Sequence, residues 1–141
     1  MAKSKTNKNQ VMGNILKQAV KLISKPKGWG TLYEAVNAGG RECEVYDKEA
    51  CRFCAVGSVR RAIYDVKGKY DFSLFNDIHY ILNEETKRAT KYVDGQYNGE
   101  RYVPTKGYDD VIDFNDIYAK KDKRYVIRLL NRVIDGLRTS K

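Results

Sequence analysis

The sequence has only three cysteines, two prolines and one histidine, and nowhere a long apolar run. An odd cysteine count without a secretion leader argues against a disulfide framework. No stretch approaches the roughly 18 apolar residues of a membrane-spanning helix. The opening MAKSKTNKNQ is basic and lacks the apolar centre of a signal peptide, so a cytoplasmic location is expected. There is no Walker loop, no dinucleotide-binding glycine fingerprint and no His-Glu-x-x-His. No cofactor is implied, and no low-complexity segment occurs beyond the Lys-rich ends.

What is present is the composition of one globular domain. The chain has 141 residues, of which 42% are hydrophobic and 32% charged. At this length roughly two thirds of the unfolded surface is buried, so folding needs neither staples nor metals. Twenty-seven Lys and Arg stand against 18 Asp and Glu, a formal charge of +9. Such a balance attracts polyanions, although it also serves plain solubility.

Residues 1–9 hold three lysines and no apolar run after Met1 and Ala2, and are expected to be a flexible basic tail ahead of a single helical domain over 10–141. Met12, Ile15, Leu16, Ala19, Leu22 and Ile23 recur at helical spacing, and Pro26 and Gly28 stop that helix. Residues 27–49 read as a Gly-rich loop with a short strand at Cys43–Tyr46. A helix is predicted from near Cys51, burying Ala55, Val59, Ala62, Ile63 and Val66 and ending at Gly68. Gly57 inside it costs about 1 kcal/mol of helix propensity, which predicts that something packs closely there. A third helix is predicted from a Ser73 cap to about Thr90. Tyrosines around Asp94-Gly95 and Asn98-Gly99 predict a β-hairpin closed by Pro104 and Gly107. The last helix, capped by Asp122, buries Val126, Leu130, Val133 and Leu137. The tetrapeptide FNDI occurs at 75–78 and again at 114–117, a candidate internal repeat.

Two stretches carry a resemblance. RFCAVGSVRRA (52–62) resembles the Trp-Cys-Ala-Leu-Gly-Ala-Leu core of an uncharacterised family of bacteria and bacteriophages. FND (114–116) with the later LLNRVID (129–135) resembles that family's Trp-Asn-Asp and Leu-rich ending. The first helix running into Lys27-Gly28-Trp29 fits as well, and the likeness spans roughly 11–138. Carried over residue by residue, it marks Trp29, Cys54, Gly57, Asn115 and Asp116. The chain departs at Phe53, Val56, Val59 and Phe114, all still apolar, and the tyrosine hairpin is unlike most members. The resemblance implies a fold and a phage-type setting in a host cytoplasm, but no activity.

Three constellations carry chemistry. Cys54 at a helix start, with His79 as base and Asn115 or Asp116 as orienter, would make a nucleophilic system; against it, a Cys among Phe53, Ala55 and Val56 reads as a buried hydrophobe. Cys43, Cys51, Cys54 and His79 have the ligand types of a zinc site, with Cys51-x-x-Cys54 at the right spacing, yet no second knuckle is present and no bound metal is expected. Arg124, Arg128 and Arg132 form one basic row and Lys17, Lys21 and Lys25 another. Either row suits phosphate, and eleven tyrosines offer stacking surfaces. A charged row opposite an apolar seam is also how any surface helix looks.

The expected architecture is mainly α with minor β: about four core helices, a Gly-rich loop after the first and a tyrosine hairpin before the last. The expected function is that of a non-enzymatic, phage-type accessory protein binding a polyanion (nucleic acid or nucleotide) or a host protein. A small Cys-dependent hydrolase or transferase using Cys54 and His79, and a sponge for nucleotide signals, are the alternatives.

Overall fold

The chain is described by a computed structural model over residues 2–90, 92–98, 101–106, 110–120 and 122–139; in 2–6 and in the strands of 92–106 only the backbone is described. Helix α1 (Ala2–Ser24) is central and packs against both α2 (Ala55–Lys67) and α5 (Lys123–Thr139). Helix α3 (Phe72–Ala89) closes the other side of α5. The core is one cluster in which Ile15, Leu16, Ile23, Ile63, Ile78, Leu82, Leu129 and Leu130 are fully buried. This is the mainly helical, four-helix architecture that the apolar periods predict.

Helix α1 begins well before its apolar period does. The basic segment expected as a tail is helical from Ala2. Lys and Ala are good helix formers, and Lys8 meets Asp77 of α3 at 2.6 Å, which gives the segment a partner on the domain. At its other end the carbonyls of Ser24 and Lys25 accept from Lys123 Nζ at 3.3 and 3.0 Å. A cation there meets the negative end of the helix dipole.

Several boundaries depart from those that the sequence predicts. The strand expected at Cys43–Tyr46 is absent. A two-stranded antiparallel sheet forms instead from β1 (Ala35–Asn37) and β2 (Ala50–Phe53), with Ala35 opposite Phe53. Glu42 adds only an isolated bridge to Val36. Cys51 therefore lies in a strand, and α2 starts at Ala55 with Cys54 as its cap. Val66, expected inside, is 44% exposed, because α2 runs on past the core to its left-handed stop at Gly68. The cap of α3 is Asp71, whose carboxylate accepts from Leu74 N at 3.0 Å, rather than Ser73. Both residue types cap helices, and the choice falls to the one that places Leu74 and Phe75 inward.

The hairpin exists: β3 (Tyr92–Asn98) pairs antiparallel with β4 (Arg101–Lys106). Asp94-Gly95 is not its turn but lies at a register irregularity between Val93 and Gln96. Pro104 sits within β4, and Gly107 lies outside the described residues. The two FNDI copies are not a structural repeat. The first is ordinary α-helix within α3, with Ile78 buried and Asn76 exposed. The second follows the one-turn α4 (Val111–Asp113) and is a π-helix, Phe114–Tyr118, with Asn115 buried and Ile117 53% exposed.

Candidate functional site

The five residues marked by the resemblance, dispersed along the chain from Trp29 to Asp116, converge on one locus. Its centre is Asn115, 1% exposed, presented inward by the π-helix. Asn115 Oδ1 accepts from Trp29 Nε1 at 2.7 Å and from the backbone N–H of Ala55 at 2.9 Å. Its Nδ2 donates to Gly30 O at 3.2 Å and to Asp116 Oδ1 at 2.8 Å. Asp116 Oδ1 also accepts from Leu32 N at 3.0 Å. One amide thus ties the Trp29 loop, the start of α2 and the π-helix together, and both its acceptor and both its donor positions are filled.

Cys54 belongs to the same construction. Its sulfur accepts from Gly57 N at 3.3 Å, a cap for the first turn of α2, and its backbone N–H donates to Glu34 O at 3.4 Å. Gly57 is there because the Glu34 carbonyl is: a Cβ at 57 would lie 1.8 Å from Glu34 O. This is the close packing that a glycine inside a helix predicts. Burial pushes the Cys54 thiol up to about 11, against the smaller opposing effect of the Gly57 amide. A helix start therefore does not yield a thiolate here, because desolvation outweighs the dipole.

His79 lies elsewhere in its contacts. Its ring packs on Phe75 with centroids 5.2 Å apart, and Nε2 is buried without a hydrogen-bond partner. No hydrogen bond joins it to Cys54, Asn115 or Asp116 among the described residues. The nucleophile, base and orienter suggested by residue type are not assembled: Asn115 and Asp116 hold the Trp29 loop, not an imidazole. Of the zinc-type set, Cys43 is half-buried, Cys51 exposed and Cys54 buried. No three His, Cys, Asp or Glu side chains among the described residues stand close enough to share an ion.

The two basic rows do not merge. Lys17 and Lys21 on α1 and Lys25 just beyond it are exposed, and Lys17 shares a groove with Ile134, Leu137 and Arg138 of α5. Arg128 and Arg132 lie on the other flank of α5, beside the π-helix. There, with Phe114, Tyr118 and Tyr125, they line a cleft of about 110 Å³. Tyr118 stacks on Phe114 at 5.0 Å and meets Tyr125 edge-on at 5.2 Å. The Arg128 guanidinium lies 5.6 Å from the Tyr125 ring centre. Arg124 is differently employed: its Nη2 and Nε grip the Asp122 carboxylate at 2.8 and 3.0 Å, which holds that acid down at about 2. Tyr118 does not stand out in the sequence, since nothing local distinguishes it among eleven tyrosines.

A second cleft, of about 360 Å³, opens beside the Asn115 knot, lined by Trp29, Tyr33, Arg52, Phe53 and Lys120. Leu32 (φ 77°) and Lys120 (φ 46°) flank it in left-handed backbone, as does Lys27 (φ 59°) just before the loop. Non-glycine residues adopt this conformation at a cost of about 1 kcal/mol or more, and such positions gather at ligand sites.

No curated protein and no solved structure is significantly similar to the chain. No helix among the described residues is long and apolar enough to cross a membrane. The model of a family of unknown function (DUF6197) matches residues 8–136, nearly the whole chain, and the protein belongs to that family.

Proposed function

We propose that the protein is a non-enzymatic accessory protein that binds single-stranded nucleic acid, or a like polyanion, through the Arg128–Arg132 flank of α5. The single observation that carries this reading is the shared cleft: two arginines stand on the same wall as Tyr118 and Tyr125. Phosphate-tracking cations beside aromatic faces are the two ingredients of sequence-tolerant strand binding. Neither Arg128 nor Arg132 has an ion-pair partner among the described residues, so both forks remain available to phosphate. Arg124, paired with Asp122, stabilises the start of α5 instead. The net charge of +9 favours encounter with the strand. The reading is non-enzymatic because the one cysteine in a motif is buried, protonated and occupied as a cap. A phage-type role in a host cytoplasm rests on the sequence resemblance.

Fluorescence anisotropy of a labelled oligonucleotide, titrated across salt, tests the proposal. Log affinity should fall linearly with log salt, by about 0.7 per neutralised phosphate of a single strand. Substituting both Arg128 and Arg132 by Gln should flatten that slope by roughly 1.4 and weaken all sequences alike. Substituting Lys17, Lys21 and Lys25 by Gln should do less. No binding at micromolar protein in low salt would refute the reading and shift attention to a protein partner.

A further inference from the structure

The geometry points to a separate small-ligand site in the cleft between Trp29, Arg52 and Lys120, and its chemistry fits a nucleoside monophosphate. Four parts of the chain build this cleft: the loop Trp29–Tyr33, Val36 and Gly40 in and after β1, the end of β2 at Arg52 and Phe53, and Lys120 after the π-helix. The first of these is held in place from behind by Asn115, which bonds Trp29 and Gly30 and also Ala55 just beyond β2, and by Asp116, which bonds Leu32. The aromatic wall is therefore fixed before any ligand arrives, which lowers the ordering cost of binding. At about 360 Å³ the volume lies within the range of small-molecule sites.

The class of ligand follows from what lines the cleft. Arg52 and Lys120 are both cations, and no Asp or Glu lines the cleft with them. Neither is ion-paired among the described residues. Arg52 Nε donates to Lys27 O at 3.3 Å, which orients the side chain and leaves the guanidinium fork for a ligand. Two uncompensated cations facing one space call for an anion with several acceptor oxygens, and a forked guanidinium suits phosphate. Trp29 and Tyr33 add aromatic surface at the same place, and Tyr33 is 49% exposed at the rim. An aromatic ring joined to a phosphate satisfies both halves, whereas inorganic phosphate or a free nucleoside satisfies one. Lys120, in left-handed backbone, lines the cleft, and the left-handed Leu32 beside it is held by Asp116.

This site does not depend on the Arg128–Arg132 cleft, and the two are separable by experiment. Trp29 is the only tryptophan, so its emission, excited at the red edge, reports on this site alone. Adenosine monophosphate should give a saturable change in Trp29 emission at low salt. Adenosine and inorganic phosphate should each bind at least roughly tenfold more weakly, the loss of one charged or stacked contact. Arg52→Gln and Lys120→Gln should each weaken adenosine monophosphate by roughly tenfold. Lys120 is exposed, so its variant tests the site even where Arg52→Gln disturbs the strand. Replacing Arg128 and Arg132 by Gln should leave the response unchanged. The inference is overturned by an absence of saturable change, by a response that Lys120→Gln leaves intact, by one abolished through Arg128 and Arg132, or by equal binding of inorganic phosphate.

Discussion

Replacing Asn115 by Ala removes the acceptor of Trp29 Nε1 and of the Ala55 N–H, and the donor to Gly30 O and Asp116. Ala55 is fully buried and inside the N-terminal turn of α2, so its N–H cannot turn to water. Each buried donor left unpaired costs about 1–3 kcal/mol. With the van der Waals packing forfeited around the missing amide, we expect a total loss of about 3–5 kcal/mol. That is a fifth or more of the stability of an ordinary domain, about 5–15 kcal/mol. Urea unfolding followed by circular dichroism reads it directly. With a slope of about 1.5 kcal/mol/M, a loss of about 3 kcal/mol lowers the midpoint by about 2 M at unchanged slope. Asn115→Asp separates hydrogen bonding from shape. The carboxylate keeps the two acceptor contacts, loses the donor to Gly30 and faces the Asp116 carboxylate. Burial and that like charge raise its folded-state pKa above the unfolded value. Such a group favours folding when protonated, so the variant should gain stability as pH falls from neutral through its raised pKa, relative to the parent. A loss under about 1 kcal/mol for the Ala variant would show that Asn115 does not hold these segments together, and would refute the reasoning.

Three further outcomes are expected. Gly57→Ala should destabilise by about 2 kcal/mol or more despite the better helix propensity of Ala, because its Cβ meets the Glu34 carbonyl; Gly136→Ala, with open space around it, should stabilise by up to about 1 kcal/mol, and paired thermal melts compare the two. A thiol reagent on the native protein should label exposed Cys51 rapidly and Cys54 only on unfolding, since the latter is buried with its thiol near 11; fast labelling of Cys54 would revive a nucleophilic role. Asp122 and Asp71 are both held below the usual carboxylate range, chiefly by the Arg124 side chain and by the Leu74 backbone N–H respectively. Their contribution is present above the unfolded carboxylate pKa and lost as pH falls through the folded values, so Asp122→Asn should reduce the acid-side loss of stability seen in pH-dependent melts.

The helices were legible because burial imposes a period that one helix carries on its own. Val126, Leu130 and Val133 face the core as their spacing predicts, and Leu16 and Ile23 do the same on α1. Strands β1 and β2 are three and four residues long, too short to show a period. The choice of Asp71 over Ser73 as a cap turns on two residues of phase. What composition and spacing could not carry is contact at a distance. Asn115 bonds a residue 86 positions away and another 60 away, and in the sequence it is one of two asparagines in identical FNDI tetrapeptides. Only the backbone distinguishes them, α in one copy and π in the other. The resemblance names positions that meet in the structure, but a motif does not state what its residues do.

That distinction decides where function is to be sought. Asn115 has no unfilled hydrogen-bonding position, the Cys54 sulfur is engaged as a cap, and the space beside Gly57 is occupied by the Glu34 carbonyl. Residues so committed can present chemistry only through the segments they hold. They hold the Trp29 loop against the π-helix, and that element separates two clefts: Tyr118 lines the one with Arg128 and Arg132, and Lys120, two residues on, lines the one with Trp29 and Arg52. A π turn carries an additional residue per turn, which rotates the chain beyond it, and such turns recur where a site must be presented at an angle an α-helix would not give. Here Asn115 within the π-helix is buried, while Lys120 just beyond it is exposed in left-handed backbone. We therefore propose that the motif is the frame and that ligand chemistry falls to Arg52, Lys120, Arg128 and Arg132, cations whose roles no motif announces.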